Sequence, residues 1–205
     1  MKSINEIILE RIDKILKEEE KYPRPRPKEQ IEKELIRKIE RNVPARYINA
    51  EMQDEDLWNE IKNREKQGIY LFGTVGTGKT YILYAILKRM RAGGIYAELW
   101  NVPDKLASLR KNFQEDGGGE EKIEEEIKMN DTLLIDDLGA EKQTEWNTEI
   151  MYRLINYRYE NMLRTIFASN LSIQELSERN GDRIASRIVE MCKIIPLKGQ
   201  DRRLN

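Results

Sequence analysis

Histidine is absent from this sequence, and cysteine occurs once, at Cys192. Imidazole catalysis and histidine metal ligation are therefore excluded by inventory. A single thiol permits neither an internal disulfide nor a cysteine-based zinc site within one chain. Long apolar runs are missing too: nothing approaches the roughly 18 residues a membrane helix needs, and no signal-peptide pattern opens the chain. The expectation is a cytoplasmic protein without a membrane partner. Neither sign of charge prevails, with Lys+Arg 36 against Asp+Glu 37 and a formal net charge of −1. Any nucleic-acid surface must then be a local patch. Proline is scarce, at six, and three fall in Pro23-Arg24-Pro25-Arg26-Pro27. That stretch can be neither helix nor inner strand and reads as a stiff spacer.

What is present centres on Gly73-Thr74-Val75-Gly76-Thr77-Gly78-Lys79-Thr80, a complete G-x-x-x-x-G-K-[ST] phosphate loop. The apolar run Ile69-Tyr70-Leu71-Phe72 before it reads as a strand, and the chain from Tyr81 to Met90 as a helix. Glycines 73, 76 and 78 are expected to take unusual dihedrals and bring N–H groups close to phosphate oxygens. The helix aims its positive end at the same phosphates. Lys79 is the point charge for the β- and γ-phosphates, and Thr80 offers a hydroxyl to Mg²⁺. The nucleotide-binding set thus runs from Gly73 through Tyr81, with ATP or ADP and Mg²⁺ as the implied ligands.

Around this motif the periodicity predicts an amphipathic helix over 3–20, capped by Ser3 with Glu6, and a second over about 28–42. The first is either a helix packed on its own domain or a docking helix for a partner. Val43 to Tyr47 reads as extended, and Leu57 to Lys66 as a helix closed by Gly68. Strands are expected at 69–72, 95–100, 132–135, 165–168 and 192–197. Helices are expected at 103–113, 120–129, 144–162, 172–179 and 181–190, with a flexible break at Gly117-Gly118-Gly119. Alternating apolar strands and helices imply an α/β fold with a five-stranded parallel sheet covered on both faces.

The strand 132–135 runs into Asp136-Asp137, placing acid beside the phosphate loop at the carboxyl edge of the sheet. Asp136 is the candidate Mg²⁺ ligand, partly through water, and Asp137 orients or deprotonates the attacking water. Asn170, ending the next strand, either positions that water or touches the γ-phosphate; a turn-forming Ser-Asn is the plain alternative. Arg183 and Arg187 lie four apart on one helix face. Facing a neighbouring subunit, one of them can reach its γ-phosphate; otherwise this is a surface salt-bridging helix.

The residues 133–142, Thr144-Glu145-Trp146, Ala168 to Leu171 and Ser186-Arg187-Ile188 together resemble the DnaC/DnaI helicase loaders. These are AAA+ ATPases related to the initiator DnaA and the transposition helper IstB. The likeness covers about residues 43–205, with 1–42 as a helical N-terminal extension and candidate helicase-docking region. It implies a three-layer AAA+ domain that binds ATP at subunit junctions and assembles into a spiral or filament. It also implies that the domain engages single-stranded DNA and helps place the replicative hexameric helicase, with an initiator protein as a further candidate partner. By the same resemblance Gly78, Lys79 and Thr80 are Walker A, Asp136 and Asp137 Walker B, and Asn170 sensor 1. Arg187 is the arginine finger supplied in trans and Arg183 its companion. The family's DNA contacts fall on Arg110 and Phe113, and on Thr144 and Trp146. An exposed aromatic there can stack on a base beside a cation on phosphate, unless Phe113 and Trp146 are simply core or interface.

Three departures qualify the resemblance. Asp137 stands where many AAA+ proteins have Glu, which implies slow hydrolysis. No helical lid is expected after the last strand, so Arg202 and Arg203 would serve only by another geometry. The N-terminal region lacks the zinc ligands of DnaI and is short for a full helicase-binding domain. The main alternative is an IstB-like transposition helper acting on duplex DNA. A plain nucleotide-binding module without a DNA role is the third.

Overall fold

A computed structural model describes residues 1–63, 65–115 and 119–197, without the side chains of 113–115. Five strands form one parallel sheet: β1 Gly68–Phe72, β2 Ala97–Asn101, β3 Thr132–Leu138, β4 Arg164–Ser169 and β5 Cys192–Pro196, in the order β2-β3-β4-β1-β5. Each strand is short and apolar, and alternation of side chains divides the core. Tyr70, Leu133, Ile135 and Phe167 face one layer. Ile69, Leu71, Leu134, Ile166 and Ala168 face the other. The first layer is covered by α5 Val102–Glu115, α6 Gly119–Lys128, α7 Glu145–Glu160, α8 Ile173–Asn180 and α9 Asp182–Met191. The second is covered by α3 Glu55–Lys62 and α4 Lys79–Ala92.

The N-terminal helices, α1 Ile4–Glu19 and α2 Lys28–Glu40, pack on α4 through Ile4, Ile12, Ile31, Leu35, Ile39 and Ala92. Ser3 and Glu6 form the expected capping box, each bonding the other's backbone N–H. The isoleucine stripe of α1 is spent inside the chain, since Ile12 is fully buried and Ile7, Ile8, Ile15 and Leu16 pack beside it. Among these apolar residues of α1, Leu9 is the large one left exposed.

Several expected boundaries move, each for a local reason. Gly68 does not close a helix; it is the first residue of β1, lying between β4 and β5. A Cβ there would stand 2.2 Å from the Thr165 carbonyl oxygen, so only glycine fits the sheet's centre. Helix α3 ends at Lys62, and Asn63 leaves it in extended backbone. Ile95 and Tyr96 lie before β2 and are exposed. Val43 to Tyr47 is not simply extended, because Ala45–Tyr47 forms a 3-10 turn behind Pro44. In the acidic helix α6, Ile123 and Ile127 are buried while most of the glutamates face solvent. Residues 117 and 118 of the expected glycine break, and Arg202 and Arg203, lie outside the described residues. Among the described residues no helix is long and apolar enough to cross a membrane.

Candidate nucleotide site

The parallel topology brings the carboxyl ends of β1, β3 and β4 together, and the chemistry gathers there. The phosphate loop leaves β1 and runs directly into α4. Gly76 and Gly78 have φ of 84° and 91°, a conformation that side-chain-bearing residues rarely take. Gly73 is needed for a different reason than its dihedrals. A Cβ on it would come within 2.4 Å of the Leu197 carbonyl oxygen, where the chain leaving β5 crosses the loop. The Leu197 N–H there donates to the Phe72 carbonyl at 2.7 Å. Gly78 caps α4 without a side-chain bond, so the first N–H groups of the helix open onto the loop.

Lys79 is 7% exposed. Its ammonium donates to the carbonyls of Gly73 at 2.7 Å and Thr74 at 2.8 Å, and to the Thr77 hydroxyl at 3.3 Å. The Thr80 hydroxyl is close enough to favour the charged form of Asp136, the buried member of the acidic pair. Burial first, then the neighbouring Asp137 charge, push the Asp136 carboxyl up from its ordinary 3.8 to about 6. β3 extends further than its apolar run suggests and carries both acids. It shifts register against β4 between Ile135 and Leu138, and Asp137 takes a left-handed φ of 56°. Such a backbone is strained for a non-glycine residue and persists where the surroundings hold it. Ser169 supplies part of that hold, donating to the Leu138 carbonyl at 2.6 Å and accepting the Leu171 N–H at 3.0 Å.

A cavity of about 420 Å³ opens here, lined by Val75, Gly76, Gly78, Lys79, Thr80, Tyr81, Asp137 and Asn170 together with Arg46, Tyr47 and Gln53 from the segment before the sheet. Phosphate loop, Asp137 and Asn170 are thus brought to one place. Asn101 is a member that sequence reading missed: its Nδ2 donates to Asp137 Oδ2 at 2.9 Å. An asparagine ending β2 has no motif of its own, and only strand order puts it beside β3. Gln53, in the loop before α3, likewise has no motif, and only packing brings it to the cavity. No cluster of three or more Asp, Glu or Cys side chains able to hold a metal by itself exists among the described residues. A buried carboxylate beside a second acid and a threonine hydroxyl nonetheless suits a divalent cation whose remaining ligands come from phosphate oxygens and water.

Arg183 and Arg187 do not line this cavity. Both lie on α9, Arg183 exposed and Arg187 half-buried. The Arg187 guanidinium donates to Asn156 Oδ1 at 2.6 Å, the Tyr152 hydroxyl at 3.1 Å and the Arg183 carbonyl at 3.2 Å. It stands 4.9 Å from the Tyr152 ring centroid. The face is therefore a polar and aromatic cradle from α7. The remaining candidates gather at the start of α7. Thr144 caps it, accepting the Asn147 N–H at 3.2 Å. Arg110 of α5 donates to the Thr144 hydroxyl at 3.2 Å and to Asn147 Oδ1 at 3.0 Å. Its guanidinium lies 4.8 Å from the Trp146 ring, which is half-buried against the core. Phe113 lies in α5, and its side chain is outside the described residues.

The sheet order, the loop and the acid at its carboxyl edge define a nucleotide-binding α/β protein of the phosphate-loop class. Within that class the chain belongs to the IstB-like ATP-binding protein family, which matches residues 48–205. The replicative helicase loader DnaI of Bacillus subtilis is 28% identical over 181 residues, 82% of this chain and 58% of DnaI. The phage-like element PBSX protein XkdC of Bacillus subtilis is 32% identical over 156 residues, 72% of this chain and 57% of XkdC. The chain therefore spans little more than half the length of these curated relatives. A crystal structure of the DnaC helicase loader matches with a TM-score of 0.66 at 27% identity, covering 76% of this chain and 100% of that one. The replication initiator DnaA bound to AMPPCP and single-stranded DNA matches at 0.64 with 21% identity, covering 78% of this chain and 52% of DnaA, a likeness of fold. The fold is that of the AAA+ domains of these proteins.

Proposed function

We propose that this chain is the ATP-hydrolysing core of a helicase loader, one that assembles through ATP at subunit junctions and grips single-stranded DNA. The observation that carries the reading is the similarity to DnaI, at 28% identity over 82% of this chain, and to the DnaC structure, at 27% over 76%. The N–H groups of 73–80 and Lys79 hold the triphosphate. Thr80 and Asp136 hold Mg²⁺, which neutralises charge on the phosphate oxygens when bound. Asp137, steadied by Asn101, takes up the proton of the attacking water or orients it, and Asn170 fixes the water's position. The shorter arm of Asp137 keeps turnover slow. Arg187, presented on α9 away from its own cavity, serves the nucleotide of a neighbouring copy, with Arg183 beside it. Arg110 and Trp146 form the DNA patch: a guanidinium over an indole offers charge to phosphate and a flat face to a base. The replicative hexameric helicase is the partner, and an initiator protein is a further one. Because the isoleucine stripe of α1 faces α4, a partner meets the outward side of the N-terminal pair.

The test is single-stranded DNA binding with ATP analogue, ADP or no nucleotide, on wild type and Arg187→Ala, with oligomer size followed in parallel. DNA-bound oligomers that form with the analogue alone and vanish in Arg187→Ala are expected. A protein that stays monomeric and ignores single strands in every state overturns the reading. Preference for duplex DNA, with a transposase encoded alongside, would move it to the transposition-helper class that gives the matching family its name.

A further inference from the structure

Helix α4 lines the cavity with its first turn and holds a second segment that lines it too. Its first turn carries Lys79 and Thr80. Further along, Tyr81, Tyr84 and Lys88 are spaced three and four apart and so form one stripe on the helix surface. All three hold the segment that leads into the sheet. The Tyr81 hydroxyl accepts the Glu51 N–H at 3.2 Å. The Tyr84 ring stacks on Tyr47 with centroids 4.6 Å apart and planes 12° from parallel. The Lys88 ammonium donates to the Ile48 carbonyl and, at 3.2 Å, to the Ala50 carbonyl. The segment so fastened contributes Arg46, Tyr47 and Gln53 to the lining of the same cavity as the phosphate loop.

Lys88 is 6% exposed, and burial lowers its affinity for a proton. An apolar side chain would fill the same space without desolvating a charge. What the ammonium adds is a fixed grip on two backbone carbonyls on either side of Asn49. We propose that Tyr84 and Lys88 are positioning residues for the base end of the nucleotide site. They hold Tyr47, Arg46 and Gln53 where the base and ribose of a bound nucleoside triphosphate lie, by stacking and by amide and guanidinium hydrogen bonds. The phosphate end does not depend on them. This rests on the nucleotide reading above.

The experiment compares two probes on the full chain, Mg-ATP and Mg-tripolyphosphate, which shares the phosphates and lacks base and ribose. Lys88→Met and Tyr84→Leu are expected to weaken ATP about tenfold, or about 1.4 kcal/mol, while tripolyphosphate stays within about twofold. Lys88→Arg, which keeps the charge and the donors, restores ATP affinity. Wild-type affinity for ATP in Lys88→Met overturns the inference. So does equal loss of both probes, which would mean general loosening of the domain. A wild type that binds neither probe defeats the nucleotide reading itself, and the inference with it.

Discussion

Asp136 illustrates how a single residue can oppose stability and serve a site. Its carboxyl is buried, lies beside a second acid, and titrates near 6 rather than 3.8. A carboxyl with a raised folded pKa holds its proton longer folded than unfolded. The stability it contributes is full below about pH 4 and is lost as pH rises through about 6. In nucleotide-free protein the loss at neutral pH is on the order of 3 kcal/mol. Asp136→Asn is therefore expected to raise the neutral-pH melting temperature and flatten its fall between pH 4 and 6, as thermal unfolding would measure. The same variant should lose Mg²⁺-dependent nucleotide affinity, read by titrating ATP with and without the metal. Unchanged melting with unchanged Mg²⁺ dependence would contradict both parts. The phosphate loop and the acid pair were legible as residues because their chemistry demands a fixed local spacing. Asn101 was not, because its partner Asp137 is 36 positions away.

At the scale of elements, one buried residue fastens a helix to the sheet and another lets three strands close up. Arg158 of α7 is fully buried. Its guanidinium donates to the Thr165 hydroxyl at 2.7 Å and to the carbonyls of Asn130 at 2.7 Å, Asp131 at 3.1 Å and Arg164 at 2.7 Å. Those carbonyls flank β3 and β4 on their amino-terminal side, opposite the nucleotide site. Burial drags the guanidinium down from 12.5 to about 10, so it stays charged at neutral pH. Arg158→Met removes the donors and strands three carbonyls. It should destabilise the domain by about 3 kcal/mol or more, measured by denaturant unfolding. Gly68→Ala acts on β1 directly. The added methyl would meet the Thr165 oxygen and the Cys192 sulfur, 2.8 Å away, and forces two strand pairings apart. A loss of about 2–4 kcal/mol is expected, by the same assay. The strands themselves were legible from apolar runs. Their ends were not, since pairing with neighbours adds residues such as Arg164, Ser169 and Gly68 that carry no strand signal.

For the whole molecule, the proposed assembly puts function between copies. Arg187 sits on a face away from its own cavity, and Arg110 and Trp146 meet at the start of α7, the helix that also carries Tyr152 and Asn156. The double variant Arg110→Ala with Trp146→Ala should weaken single-stranded DNA binding by about 2 kcal/mol. Loss of one phosphate contact should also make binding less salt-dependent. ATP affinity should hold within about twofold, because neither residue lines the cavity. Fluorescence anisotropy at two salt concentrations would decide it. An unchanged DNA affinity would leave a nucleotide module without this DNA surface.

By itself the sequence determined the class of chemistry. The loop at 73–80, the strand ending in acid and the alternation of strands with helices are local patterns, enforced by backbone geometry within a few residues. Tertiary structure decided everything that joins distant segments. It alone set the strand order that brings Asn101 to Asp137, and the turn of Arg187 onto α7. The docking of the isoleucine stripe on α4 and the grip of Tyr84 and Lys88 on the segment before the sheet are of the same kind. The physical reason is that burial and hydrogen-bond satisfaction are properties of the packed whole. A residue's partner is whichever group the fold leaves opposite it, and no local spacing encodes that choice.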